Sequence, residues 1–494
     1  MTTQKLILGP PGCGKTTFCI STVEKEFADG VRPDNLLYTT FTRKGANEAI
    51  MRACEKFHFK RTQLPYFRTI HSLVFQEMGM SREDVMQFRD YKKIGEALGI
   101  QFGYTDLSEG MVAPTSNVGD QMLYTLGLAR AKLITEEEQF HELDFDFSWF
   151  EFKRFLDTLN SYKEQKSLLD FNDMLDRYIA EGKPLDIEVA IIDEAQDLSK
   201  SQWKVIEIAT ANANRKYIAG DDDQAIFKWS GADVDTFLNL TGDKKVLGKS
   251  YRLPSVIHSY ANKISARIDH RYEKEWEPNA EGGTIDFVTN VGEIEIREGT
   301  NLLLARNKYL LKKYEEYLRS EGYPYTTQSA NSIDQSAVIA VKAWEALRAG
   351  KKVDVGSIRA AYQYLKVGSG VARGFKALRG ATGELTMKEL KKDWGLLTDA
   401  IWHDALVEMD DAEYYLVALR RGEKLDKEPR IHISTIHTVK GGEADHVTII
   451  SDVSWKVFHN MGDDEHRVFY VAATRARKTL QIVLPQTASA YDFP

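Results

Sequence analysis

Lys15 and Thr16 stand directly behind three glycines, Gly9, Gly12 and Gly14, in the run GPPGCGKTT. Glycines so placed let a loop turn its amide N–H groups inward, toward the oxygens of an anion. A lysine at this spacing adds a point charge for terminal phosphates, and a threonine hydroxyl can ligate Mg²⁺. Downstream, VAIIDEAQD carries two neighbouring carboxylates. Asp193 suits a metal ion held through water, and Glu194 suits polarising an attacking water. Gln224, in GDDDQAIFKWSGA, is a neutral amide able to reach a γ-phosphate and report its presence. Arg252 in KSYRLPS and Arg475 in FYVAATRARKTL complete the set as arginine fingers, a role worth about 10³–10⁵ in rate. The expectation is a nucleoside triphosphate site with Mg²⁺, using Lys15, Glu194, Gln224, Arg252 and Arg475 for hydrolysis. Gly9, Gly12, Cys13, Gly14, Lys15, Thr16 and Thr17 line it, with Thr16 and Asp193 on the metal.

These groups need rigid supports. Leu6-Ile7-Leu8 reads as a strand that runs into the glycine loop, and a helical stretch follows. The new helix brings its positive dipole end to the same anion. Val189 to Ile192 are four aliphatic residues in a row, the pattern of a strand buried in a parallel sheet. Asp193 and Glu194 then emerge at its C-terminal end, where such sheets bind ligands. A second apolar strand, Tyr217-Ile218-Ala219, leads to Gly220 and the segment of Gln224. Cys13 reads as a small filler of the loop rather than a redox switch. Phe227 and Trp229 follow in polar, glycine-rich surroundings, a setting for aromatic faces on which bases stack.

At 494 residues and 43% hydrophobic, the chain holds several cores and more than one domain. No apolar run approaches the roughly 20 residues of a membrane helix, and the opening lacks a basic-then-apolar signal segment. The expected location is the cytoplasm, or the host cytoplasm for a viral protein. Cys13, Cys19 and Cys54 fit neither a zinc spacing nor a disulfide framework. The net charge of −8 argues against a broadly basic nucleic-acid coat, although local patches set phosphate contacts. Acids dominate from Thr105 to Glu151 and bases from Arg348 to Lys392. FEFKRFLDTL has helical period, and the chain after Pro485 reads as a loose tail.

Taken in order, the motifs resemble those of superfamily 1 helicases of the UvrD/Rep/PcrA group. GPPGCGKTT resembles motif I, TTFTRKGANEAI motif Ia, FRTIHSL motif Ib and IIDEAQD motif II, with LLDFNDML similar to the segment before it. GDDDQAIFKWSGA resembles motif III, LGKSYRLPS motif IV and LLLARNKYLLKKYEEYLRSEGYPY motif IVa. STIHTVKGGEADHV resembles motif V and EHRVFYVAATRARKTL motif VI. The resemblance implies an α/β fold of two RecA-like P-loop lobes with parallel sheets, each interrupted by a mainly helical insertion. On that reading the first lobe comprises 1–75 and 167–245 around an insertion at 76–166. The second comprises 246–331 and 428–494 around a basic insertion at 332–427.

It also implies roles by motif position. Tyr251 would stack on adenine, and Glu443, beside Gly441, would contact the ribose. Thr40, Phe41, Thr42, His71, Trp229, Thr435 and His437 would line a single-strand track, joined by Phe227. LKVGSGVARGFKAL resembles a helix–Gly-x-Gly–helix element for duplex contact, with Gly368, Gly370 and Arg373 on the phosphates. The implied activity is ATP-dependent 3′→5′ unwinding of duplex DNA by a monomer moving on single-stranded DNA. Its partners would be single strands, single-strand/duplex junctions and proteins of replication or repair, with no membrane. The alternative is a single-strand translocase that displaces bound proteins with little unwinding. A nucleotide-dependent adaptor has no need of the full hydrolytic set, and a small-molecule kinase no need of a second lobe bearing further arginines.

The chain departs from the family pattern in three places. Only eight residues precede Gly9, so the upstream glutamine motif for adenine has no counterpart and Gln4 lies in the opening strand. Motif V reads Gly441-Gly442-Glu443, with glycine at the usual leucine. In motif III, Ser230 takes the place of a basic residue after Trp229. The compact form suits a phage origin.

Overall fold

Six parallel strands organise the first part of the chain. A computed structural model describes residues 3–41, 43–103 and 117–494. The strands are β1 (Thr3–Leu8), β2 (Leu36–Thr40), β3 (Phe67–Thr69), β4 (Val189–Asp193), β5 (Arg215–Gly220) and β6 (Asp243–Val246). Their order across the sheet is β3-β2-β4-β5-β1-β6, and every pairing is parallel. β2 and β4 are buried along their whole length, which explains the aliphatic run Val189–Ile192 of β4, while Thr39, Thr40 and Asp193 bring polar groups to the buried ends of the two strands. Because β5 lies between β1 and β4, three strand ends converge: the glycine loop after β1, Asp193 at the end of β4, and the segment after Gly220.

A second sheet contains β7 (Thr284–Val288), β8 (Asn301–Ala305) and β9 (Tyr325–Thr326). After the short antiparallel pair β10 (Val353–Asp354) and β11 (Glu384–Leu385), it is completed by β12 (Ile431–Thr435), β13 (Ala444–Ile450) and β14 (Ala476–Val483). Its order is β7-β14-β13-β8-β12-β9, again with parallel pairs throughout. The two RecA-like α/β lobes expected from the motif order are these two sheets with their helices.

Each sheet is interrupted by helices with a core of their own. In the first, the helix Trp149–Lys166 opens on a capping box, with Ser148 accepting from the Glu151 amide. It buries Phe152, Phe155 and Leu159 against Tyr91, Ile94 and Met122. In the second, Trp344, Tyr362, Leu390 and Tyr415 belong to one buried cluster.

Two details differ from the sequence reading. The chain divides into one compact unit of Met1–Glu281 with Met461–Val471 and another of Gly282–Asn460 with Ala472–Pro494. Residues 246–281, expected in the second lobe, pack with the first unit, where Tyr251 N donates to Gly12 O at 2.8 Å. The end of the chain is not loose. Val453 N donates to Ser489 O, Tyr491 N donates to Ser451 O at 2.8 Å, and the Tyr491 side chain is buried.

Candidate nucleotide and nucleic-acid sites

Gly12 and Gly14 adopt φ of 73° and 78°, left-handed values that only glycine takes cheaply. Gly14 is also the N-cap of the helix Lys15–Ala28 and offers no capping side chain, so the first amides of that helix are left for an anion. Gly9 is required by space: a Cβ there would sit 2.1 Å from Lys15 Cγ. The buried Lys15 Nζ donates to Gly9 O at 2.8 Å. Burial alone would lower its pKa, but Glu194, Asp221 and Asp193 around it more than offset that and hold it above the ordinary value. Burial pushes the Cys13 thiol up to about 11, in keeping with a filler rather than a reactive thiolate.

Thr16 Oγ1 donates to Asp193 Oδ2 at 3.0 Å, and Tyr38 OH donates to the same oxygen at 2.9 Å. Burial, then the neighbouring Glu194, raises the Asp193 carboxyl above the usual range, although Tyr38, Lys15 and Thr16 oppose the shift. Two hard oxygens in contact beside a phosphate loop suit Mg²⁺, which typically takes one or two protein oxygens and completes its shell with phosphate and water. Among the described residues no group of three or more His, Cys, Asp or Glu could hold a metal alone.

Glu194 has φ 54° and ψ 40°, a left-handed conformation at a non-glycine residue. It places the carboxylate just beyond β4, where Gln196 Nε2 donates to its Oε2 at 2.6 Å. After β5, Gln224 is buried and donates from Nε2 to Asp221 Oδ2 at 2.6 Å. Arg252 lies on the glycine loop: a Cβ on Gly12 would meet its Cβ at 2.4 Å, and Ser250 Oγ donates to Pro11 O at 2.8 Å. Tyr251 is 68% exposed beside the loop. Thr17 is exposed in the first turn of the helix.

The first unit therefore brings together Gly9, Gly12, Cys13, Gly14, Lys15, Thr16, Asp193, Glu194, Gln224, Tyr251 and Arg252. Sequence reasoning missed Tyr38, Gln196, Asp221 and Ser250. Gln196 was within reach, since it stands two residues from Glu194. Tyr38 was not, because strand pairing alone brings it to Asp193.

A second cluster lies along the same strand ends. Thr40 ends β2, paired with Asp193 on one side and Thr69 on the other. Phe41 packs on Phe227 with centroids 5.4 Å apart, and Phe227 on Trp229 at 6.4 Å. Tyr124 OH fixes Trp229 O at 2.6 Å. These rings are half-buried. His71 is buried in a cleft that Phe41, Tyr124, Gln202 and Ser230 also line. Its Nε2 has no hydrogen-bond partner among the described residues, and burial, then Arg43, pushes its pKa down to about 4. Thr42 lies outside the described residues.

In the second unit, Thr435 ends β12 and its hydroxyl meets that of Thr438 at 2.9 Å. His437 follows, and burial with Arg306 and Lys440 nearby pushes its pKa down to about 3. Gly441 has φ 83°. Glu443, expected on a ribose, is ion-paired with Arg477. Arg475 is 1% exposed and donates to Gly442 O at 3.2 Å.

The Gly-x-Gly element needs correction. Leu365–Leu378 is a succession of turns with no second helix. Gly368 N donates to Val371 O and Gly370 N to Lys366 O, both at 2.8 Å, so neither amide is left for a phosphate. Arg373 is exposed.

Comparison with known proteins bears on both units. Residues 1–245 match the UvrD/REP helicase N-terminal domain, and residues 412–487 the UvrD-like helicase C-terminal domain. The ATP-dependent DNA helicase Rep of Buchnera aphidicola subsp. Baizongia pistaciae is 23% identical over 353 residues, covering 65% of this chain and 52% of its own. The probable DNA helicase II homolog of Mycoplasma pneumoniae is 22% identical over 359 residues, covering 65% and 47%. The ATP-dependent DNA helicase PcrA of Staphylococcus aureus is 23% identical over 351 residues, covering 63% and 44%. The chain thus spans about half the length of the curated relatives it matches.

Proposed function

We propose that this chain, which belongs to the UvrD-like helicase family, is an ATP-dependent DNA helicase that moves 3′→5′ along single-stranded DNA. The observation that carries the reading is the convergence of Lys15, the Thr16–Asp193 pair, Glu194 and Gln224 at three adjacent strand ends. Backbone amides of the glycine loop and Lys15 bind the β- and γ-phosphates. Thr16 and Asp193 would hold Mg²⁺, whose contribution is to neutralise charge on the phosphates. Glu194 orients and deprotonates the attacking water. Gln224 senses the γ-phosphate, and Arg252 neutralises charge developing on it. By motif position Arg475 is a second arginine finger and Glu443 a ribose contact. Phe41, Phe227 and Trp229 serve as the stacking surface for bases, with Thr40, Thr42, His71, Thr435 and His437 along the track. Stacking of about 1–3 kcal/mol per base tolerates any sequence.

The test is ATP hydrolysis with and without single-stranded DNA. Stimulation by the strand is expected, and its absence would end the motor reading. Forked duplexes with opposite tails then fix polarity and unwinding.

A second reading, translocation with little unwinding, is favoured by the turn structure at Leu365–Leu378, where Gly368 and Gly370 spend their amides on neighbouring carbonyls. It predicts displacement of a bound protein from a single strand, with weak separation of a forked duplex. Partners from replication or repair and a monomeric state belong to the same proposal. Co-purification and sedimentation would test them.

A further inference from the structure

The turn between β5 and Gln224 buries three carboxylates side by side: Asp221, Asp222 and Asp223 are 0% exposed. Carboxylates removed from water need a cation close by. It comes from the segment after the helix Ser255–Ser265. Lys274 Nζ, itself buried, lies 3.0 Å from Asp221 Oδ1, 2.5 Å from Asp222 Oδ1 and 3.0 Å from Asp223 Oδ2. Arg271 clasps Asp223 through two bonds of 2.7 and 2.6 Å. Tyr272 N donates to Asp222 Oδ2 at 2.8 Å. None of Arg271, Tyr272 or Lys274 belongs to the motifs that form the nucleotide site.

The cluster connects to the hydrolytic residues through Asp221. Gln224 donates to its Oδ2. Its backbone N–H donates to Gln196 Oε1 at 3.0 Å, and Gln196 Nε2 donates to Glu194 Oε2. The orientation of Gln196 is forced: a backbone N–H can only donate, so the amide oxygen must face Asp221 and the NH₂ must face Glu194. Lys274, Asp221, Gln196 and Glu194 thus form one unbroken polar chain, with Gln224 joined at Asp221.

We propose that Lys274 is a positioning residue for triphosphate hydrolysis, holding Asp221 so that Gln224 and, through Gln196, Glu194 keep their aim. The inference rests on the hydrolase reading above. Lys274 touches no substrate in this role, so it governs turnover rather than nucleotide affinity.

The test compares steady-state ATP hydrolysis with the affinity for a fluorescent ATP analogue. Lys274→Met should lower kcat by about 10- to 100-fold, by analogy with the loss of partners that orient metal ligands, and leave the analogue's Kd unchanged. Lys274→Arg should recover much of the rate. Combined with Gln224→Ala, Lys274→Met should add less than its separate effect, because both act through one unit. Since Lys274→Met leaves three buried carboxylates short of a cation, Lys274→Met/Asp222→Asn removes one charge of each sign and serves if the single variant does not fold. Unchanged kcat in a folded variant, an equal loss in kcat and affinity, or effects that multiply would overturn the proposal. A wild-type chain with no ATPase activity would instead overturn the hydrolase reading, so the two failures are distinguishable.

Discussion

Glu194 sits in a left-handed conformation at φ 54°, which costs a non-glycine residue about 1–2 kcal/mol. The strain is offset by Gln196, whose amide holds the carboxylate beyond the end of β4. If this carboxylate is the general base, Glu194→Gln lowers kcat by about 10²- to 10⁴-fold. Binding of a fluorescent ATP analogue should persist, because the isosteric amide leaves the glycine loop untouched. Loss of binding together with rate would assign Glu194 to the phosphate cradle instead. At this scale the sequence is readable where chemistry is local. The spacing of Gly9, Gly12, Gly14, Lys15 and Thr16 announces itself, and so does Asp193-Glu194 after four aliphatic residues. Tyr38 and Lys274 do not. The first lies 155 positions from its partner Asp193. The second is flanked by Glu273 and Glu275, so it reads as one member of a solvated charge run.

Elements decide what a motif residue becomes. His71 lies in the first turn of the helix Ile70–Glu77, capped by Thr69, and that placement buries the imidazole edge-on to Phe171. Its pKa falls from 6.5 to about 4, first through burial and then through Arg43. The unfolded chain binds this proton below pH 6.5 and the folded one only near pH 4. Stability is therefore full above pH 6.5 and declines as pH falls toward 4. Between pH 7 and pH 5 the first unit should lose about 2 kcal/mol from this residue. Urea unfolding at the two pH values measures the loss, and His71→Gln should flatten it. An unchanged pH dependence in the variant would show that His71 titrates normally. The helix Trp149–Lys166 was legible from its apolar period because its burial is one-sided. The Gly-x-Gly segment folds as turns and not as the helix pair that its motif resemblance implies. Gly368, Gly374, Gly380 and Gly383 all take positive φ, and such a series makes turns, which glycine count alone did not reveal.

Across the whole molecule, the first sheet was legible in outline from the apolar runs at Leu6–Leu8, Val189–Ile192 and Tyr217–Ala219, whereas the second was expected only from the order of the motifs. Their limits were not legible. The boundary after Lys245 followed motif order, whereas the packing of Ser250–Arg252 on the glycine loop keeps the first unit intact to Glu281. The final segment, QTASAYDFP, is composed like a tail, but one ring anchors it: Tyr491 is 1% exposed. Tyr491→Ala should cost the second unit about 3–5 kcal/mol, the usual penalty for emptying an aromatic core position. Thermal unfolding followed by proteolysis at Gly282–Asn460 would register it, and an unchanged midpoint would return the segment to the status of a tail.

The burial of Asp193 beside Glu194 carries one more consequence. A carboxyl whose pKa is raised keeps part of its proton in mildly acidic solution, and a divalent cation accepts only the deprotonated form. Loading Mg·ATP should therefore expel a proton into the medium. Calorimetric titrations near pH 6 in buffers of different ionisation enthalpy would show observed heats that track the buffer, and Asp193→Asn would abolish that slope.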